Sequence, residues 1–335
     1  MLDDILTLEG TTMAGFRKSR FHTDIDFQRQ GRQTGFLYLP HSAHRSAYGR
    51  IAIPVVVLNN GPGPGVLLCA GNHGDEYEGQ VALMDLCREL QPQAMRGRLI
   101  ILPAANFPAV RAGTRTSPLD AGNLNRAFPG DPDGTPTAAI AHYIESELLP
   151  LVELVVDLHS GGSSLRYIPS TLRGESGDPA LDERSLELQR VFSAPIGYTV
   201  KAMGEDRTLS AAARRRDAVY LATEAGGGGD ISPAGAAVVR TGLARLLHHV
   251  GSLPGEAPAP AAPASRLLVV ARPGSIIRRR RGARHRRCIS SATGWCSASG
   301  CRDRWSGGIA CSSWVHRYWR DRWGAGPGRH AQRLA

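Results

Sequence analysis

The chain has 335 residues, 42% of them hydrophobic, and a formal net charge of +10 at neutral pH. That length can bury one large core with room for a smaller unit, and no apolar run approaches the ~20 residues a membrane helix needs. Residues 272–335 hold fifteen arginines, no lysine and two aspartates, Asp303 and Asp321; this net +13 leaves the rest at −3, so the body offers no basic face to nucleic acid. The opening "MLDDILTLEG" lacks the basic-then-apolar plan of a secretory signal. A cytoplasmic protein with reduced thiols is the expectation.

Along the chain, the first fifty residues are polar and mixed, broken by the short apolar run "GFLYLP". "IAIPVVVLNNGPGPGVLLCAGNHGDE" reads as two strands around an Asn/Gly/Pro turn. Helix-like "GQVALMDLCREL" leads to "GRLIILPAAN", a continuous apolar run of the buried-strand kind. A helix is predicted over 137–149, with Thr135 or Thr137 as N-cap. "LVELVVDLHSGG" is another buried strand ending in a glycine turn. Then come a helix near 180–192, a strand at "IGYTV", a helix near 209–215, a strand "AVYLATE" and a last helix over about 233–250. Such alternation predicts an α/β fold, a sheet covered by helices on both faces, with ligands at the carboxyl ends of its strands. The catalytic unit is expected over 1–253 and a Pro/Ala linker over 254–265. "RLLVVARPGSII" then starts a further strand, the first of a C-terminal region over 266–335.

Two of the eleven histidines end buried strands, His73 after "VLLCAGN" and His159 after "LVVDL". Glu76 lies three residues beyond His73, one turn along, so the two side chains can converge. Two imidazoles and a carboxylate form the ligand set of a catalytic zinc site whose fourth position is left for water. The competing reading is a solvated turn plus a core histidine; the pair in register at two strand ends favours the metal. Asp157 lies on the same side of its strand as His159 and can take that ring's second N–H; a buried aspartate bonded to backbone is the alternative. Asp75 and Glu78 flank the ligands and read as turn and helix-start residues that favour the helix dipole.

Hydrolysis also needs a base for water's proton. Glu224, in "YLATEAGGGG" at a third strand end, is the candidate, and its four following glycines allow close approach of backbone and substrate. The alternative is a carboxylate capping the next turn. The polar loop "RAGTRTSPLDAGNLNRAFPG" offers Arg111, Arg115, Asn125 and Arg126. A guanidinium beside an amide suits bidentate capture of a carboxylate, and a second arginine can stabilise an oxyanion.

Together "GNHGDEYEG", "DAGNLNRAFPG", "VVDLHSGG" and "TEAGGGG" resemble the zinc-dependent succinylglutamate desuccinylase/aspartoacylase family over roughly 36–253. The resemblance implies a zinc-carboxypeptidase-like mixed central sheet and hydrolysis of the amide bond of a small N-acyl amino acid. It implies one Zn²⁺ per subunit on His73, Glu76 and His159, Glu224 as general base, and Asn125 and Arg126 on the substrate carboxylate. Arg115 resembles the residue that polarises the scissile carbonyl, with Arg111 as the alternative. "LPHS" and the loop motifs resemble most the branch that releases acetate from a diamino acid. A zinc carboxypeptidase is the runner-up, and a homo-oligomer is compatible with the chain. No G-x-S-x-G surrounds Ser160 or Ser163, which argues against a serine hydrolase.

Beyond about residue 277 the pattern stops alternating. All five tryptophans and four of six cysteines lie there, in an Arg/Gly/Ser-rich, lysine-free context that fits a GC-rich gene read out of frame. The cysteine spacing is not the paired layout of a structural zinc site. A genuine basic, aromatic tail that binds nucleic acid is the weaker reading, and an inactive relic is a third.

Overall fold

The computed structural model describes residues 17–42, 47–201, 205–260 and 264–270. Its strands are β1 (His22–Thr23), β2 (Gly31–Pro40), β3 (Arg50–Asn59), β4 (Gly65–Ala70), β5 (Arg98–Leu102), β6 (Leu154–His159), β7 (Ser170–Gly174), β8 (Ile196–Val200), β9 (Val219–Glu224) and β10 (Arg266–Val270). They form one mixed sheet in the order β1-β2-β3-β5-β4-β6-β9-β7-β8-β10. The helices are α1 (Tyr77–Glu89), α2 (Phe107–Ala112), α3 (Pro136–Tyr143), α4 (Pro179–Phe192), α5 (Leu209–Arg215) and α6 (Pro233–His249).

Strands β5, β4, β6 and β9 run parallel at the centre. Their continuous apolar runs follow from burial on both faces, since successive side chains alternate between faces and each face is covered. Leu67, Cys69, Ile100 and Val155 pack with Phe128, Ile140, Leu148 and Leu209 on one side. Leu68, Ile101, Val156 and Leu158 pack with Leu83, Phe192, Val239 and Leu243 on the other. Helices α1, α4 and α6 therefore cover one face, and α3 and α5 the other. The α/β expectation of helices on both faces holds.

The helix expected over 137–149 is shorter. Thr135 caps α3, its Oγ1 accepting from the Ala138 amide, and after Tyr143 the chain widens into a π-turn over Ile144–Leu148. Pro150 then lies in a 3₁₀ turn, where its missing N–H does no harm. Arg266–Val270 is a strand, as the pattern predicts, and it pairs in parallel with β8 at the outer edge of the main sheet. The Pro/Ala stretch before it is held to the body: the buried Arg245 donates to the carbonyls of Pro258, Ala259 and Phe192. The out-of-frame reading falls on the tail beyond 270, outside the described residues. No helix among the described residues is long and apolar enough to cross a membrane.

This topology places the carboxyl ends of β4, β6 and β9 side by side. His159 and Glu224 are register partners in the last rung between β6 and β9, and His73 follows β4 by three residues. Three positions separated by some 150 residues of chain thus meet at one sheet end.

Candidate metal centre and active site

His73 sits in the turn between β4 and α1. That turn packs directly on α2, because a Cβ on Gly74 would collide with the Ala109 backbone; only glycine lets the two backbones come so close. Glu76 is the N-cap of α1 with extended backbone (φ −103°, ψ 91°). The convergence expected of His73 and Glu76 is present, but a tight loop produces it, since the helix begins only at Tyr77.

Glu76 uses one oxygen for each imidazole. His73 Nδ1 lies 2.7 Å from Glu76 Oε1, and His159 Nδ1 lies 2.7 Å from Glu76 Oε2. One ligand atom from each of these three buried residues falls within 4.8 Å of the others. Behind each ring the other nitrogen is anchored: His159 Nε2 is 2.9 Å from Asp157 Oδ2, and His73 Nε2 is 3.2 Å from Asn123 Oδ1. Two imidazole nitrogens and a carboxylate oxygen, with both rings oriented from behind, suit zinc. Asp157 also accepts from the Tyr220 hydroxyl at 3.0 Å.

Burial by itself works against charge on Glu76, yet His159 and His73 override it and hold the carboxyl at about 2. Burial likewise pulls His159 down, but Asp157 and Glu76 outweigh it and hold the imidazolium well above the usual histidine range. In the metal-free protein a proton therefore competes with a cation for that imidazole.

Glu224 projects beside this group, and its Oε2 is out of solvent with no partner among the described residues. Burial pushes its carboxyl up to about 8; His159 and Arg115 oppose the rise, while Glu76 and Asp157 add to it. A carboxyl tuned toward neutrality in a cleft suits an acid–base role. Arg115 donates to Glu76 Oε1 at 3.3 Å and lies as close to His73 Nδ1. It lines the cavity, whereas Arg111, in the last turn of α2, is not among the lining residues. Asn125 and Arg126 line it too. Asn125 Oδ1 accepts from the Leu209 amide at 3.0 Å, and Arg126 Nε is 3.4 Å from Glu205 Oε2.

The cavity measures about 510 Å³, the size of a small-molecule site. Its wall includes Tyr167, whose phenol is pushed up to about 12 by burial and then by Glu224 and Glu76. No sequence pattern marks Tyr167. Asn123 could have been noticed, since it sits two residues from Asn125 in the same motif.

Two expectations need correction. Asp75 and Glu78 do lie at the turn and helix start, but both are buried and each accepts from the backbone of another loop: Asp75 Oδ2 from the Ser163 amide and hydroxyl, Glu78 Oε1 from the amides of Gly227 and Ser232. Their work is long-range, not only with the helix dipole. The four glycines after Glu224 do not line the cavity. A Cβ on Gly226, Gly227 or Gly228 would instead meet Glu78, Gly161 or Arg166, so what they approach closely is neighbouring protein rather than substrate.

Two histidines and a glutamate at adjacent strand ends could hold a divalent cation, and beside them lies an acid, Glu224, whose Oε2 has no partner among the described residues; together they form a set suited to hydrolysis. Residues 62–250 match the succinylglutamate desuccinylase/aspartoacylase catalytic domain, and the chain belongs to that family. It is 43% identical over 247 residues to N-alpha-acetyl-L-2,4-diaminobutyric acid deacetylase of Halomonas elongata, covering 74% of this chain and 72% of the relative. Among solved structures it resembles the product-bound ectoine utilization protein EutE (DoeB) of Ruegeria pomeroyi, with TM-score 0.73, 41% identity, and coverage of 78% of this chain and 79% of that one. A succinylglutamate desuccinylase from Silicibacter sp. TM1040 gives TM-score 0.73 at 39% identity, covering 77% and 78%.

Proposed function

We propose that the protein hydrolyses the amide bond of an N-acyl amino acid, and that its substrate is N-alpha-acetyl-L-2,4-diaminobutyrate, released as acetate and L-2,4-diaminobutyrate during ectoine breakdown in the cytoplasm. The observation that carries this reading is the meeting of His73, Glu76, His159 and Glu224 at one cavity wall that also bears Arg115, Asn125 and Arg126. The substrate rests on the 43% identity to the Halomonas deacetylase.

His73, Glu76 and His159 would hold one Zn²⁺ per subunit. When bound, zinc supplies a Lewis acid that acidifies water and polarises the carbonyl under attack. Glu224 takes a proton from the attacking water and later returns it to the departing amine, so that one carboxyl serves as base and then as acid. Arg115, facing the ligand set, donates to the oxygen that becomes negative at the attacked carbon. Asn125 and Arg126 grip the substrate carboxylate; the Asn125 side-chain carbonyl accepts from the Leu209 amide, so its NH₂ is the group that would donate to the substrate. Asp157 and Asn123 keep the two imidazoles in the tautomer that presents Nδ1.

Arg126 meets the substrate carboxylate before and during reaction alike. Arg126→Ala is therefore expected to raise KM by about 10–100-fold while changing kcat far less; steady-state acetate release measures both. A panel of N-acetyl and N-succinyl amino acids with added zinc tests the whole reading. The acetylated diamino acid should give the highest kcat/KM. A succinylated substrate ahead of it would move the chain to another branch of the family, and preference for a peptide C-terminus would replace deacylation with carboxypeptidase activity.

A further inference from the structure

The turn between β4 and α1 and the helix's first turn hold three carboxylates, Asp75, Glu76 and Glu78, and the hydrolytic steps above use only Glu76. Glu78 is wholly buried in the first turn of α1. One of its oxygens, Oε1, accepts from the Gly227 amide at 2.8 Å and from the Ser232 amide at 3.0 Å. Those residues bracket the loop that joins Glu224 to α6. Ser232 is also the N-cap of α6, its hydroxyl accepting from the Gly235 amide at 3.1 Å, so the carboxylate sits where that helix dipole favours negative charge.

The loop's sequence is what this arrangement demands. Gly226, Gly227, Gly228 and Gly229 all have φ between 80° and 97°, a run open to glycine and closed to ordinary side chains. A Cβ on Gly226 would strike Glu78 Oε1 itself. Around the pinned loop the neighbouring segment is laced by backbone bonds. Tyr167 N donates to Gly226 O at 2.8 Å, and the amides of Gly228 and Gly229 donate to Gly162 O at 2.7 and 2.9 Å. Asp75 holds the far side of that segment through Ser163. Both segments that leave the strand ends bearing His159 and Glu224 are therefore tied to one short turn.

We propose that Glu78 is a positioning residue for Glu224: by accepting from Gly227 and Ser232 it fixes the loop that continues β9, and so fixes the direction in which the Glu224 carboxyl points. This rests on the reading of Glu224 as the base. Glu78 touches neither substrate nor metal; it acts through the backbone.

The test uses the full-length, zinc-loaded protein and its Glu78→Ala and Glu78→Gln variants. Glutamine keeps an acceptor oxygen for the two amides and removes the charge. The measurements are kcat and KM on N-alpha-acetyl-L-2,4-diaminobutyrate, bound zinc, and amide hydrogen exchange over residues 225–232. In Glu78→Ala, exchange in that loop should quicken at least about tenfold while the β4 and β6 amides stay protected. A displacement of about 1 Å at the base is enough for kcat to fall on the order of 10²-fold, with KM within about threefold and zinc still one per chain. Glu78→Gln should return both loop protection and kcat to within about fivefold of wild type. The proposal is overturned by a folded Glu78→Ala protein with wild-type loop exchange and kcat. It is equally overturned by a Glu78→Gln protein whose loop is protected but whose kcat is as low as that of Glu78→Ala. Should Glu78→Ala fail to fold, Glu78→Gln is judged against wild type: a protected loop with kcat more than about fivefold lower overturns the proposal, as does a loosened loop with wild-type kcat. If the wild-type chain releases no acetate, the deacetylase reading fails, and loop exchange still reports separately whether Glu78 holds the loop.

Discussion

Glu224→Gln is expected to bind one zinc per chain and to release acetate about 10³-fold more slowly than wild type. The amide matches the carboxylate in shape, so the wall of the cavity and the three ligands behind it keep their places. What it loses is the capacity to hold a proton between the attack of water and the departure of the amine. No other described acid beside the ligand set is free for that work: Glu76 is shared by the two imidazoles and Asp157 is engaged by His159 and Tyr220. The pH profile gives a second readout. A base must be ionised, so kcat/KM should rise with pH through the carboxyl's titration. Burial pushes that carboxyl up to about 8 in the metal-free protein, and a dication held by the neighbouring ligands lowers the value, so the limb is expected below that pH. The glutamine variant should lack the limb. Near-normal turnover would take Glu224 out of the mechanism.

His159→Ala is expected to weaken zinc binding by more than about 10²-fold, because loss of a ligand exceeds the loss of a residue that only orients one. Chelator competition measures it directly. The metal-free protein should suffer as well, by about 3–5 kcal/mol, since Asp157 and Glu76 lose the imidazolium that compensates their buried charge. In wild type the raised histidine value sets the sign of the pH dependence. The ion pairs are fully present below the ordinary value of 6.5 and are lost as pH rises through the raised one. A proton competes with zinc for that imidazole, so zinc affinity should fall as pH falls. Stoichiometric zinc in His159→Ala would remove that residue from the ligand set.

Much of the site was legible because its residues follow buried strands. Apolar runs such as "GVLLCA" and "LVELVVDL" announce their own ends, and a histidine or glutamate placed there falls at the sheet's carboxyl edge whatever the loops do. The two-residue spacing of Asp157 and His159 likewise carries its meaning locally, since it follows from the period of a strand. Arg115 and Arg111 were another matter. Four residues apart on one polar stretch, they are separated only by the family resemblance, which puts Arg115 first; the structure sets Arg111 in the last turn of α2 and Arg115 on the cavity wall, 3.3 Å from Glu76.

The chain's own order of residues determined the α/β alternation, the strand ends and the His73–Glu76–His159 set, because periodicity and strand termination are local properties. Tertiary structure alone decided what Asp75, Glu78, Asn123, Tyr167 and the four glycines do. Their partners lie tens of residues away in other loops, and the approach of one loop backbone to another depends on strand order and helix packing, which no short stretch of sequence encodes. The glycines illustrate the difference: four in a row promise an unusual backbone, but only the folded chain shows that Gly226 makes room for Glu78, Gly227 for Gly161 and Gly228 for Arg166.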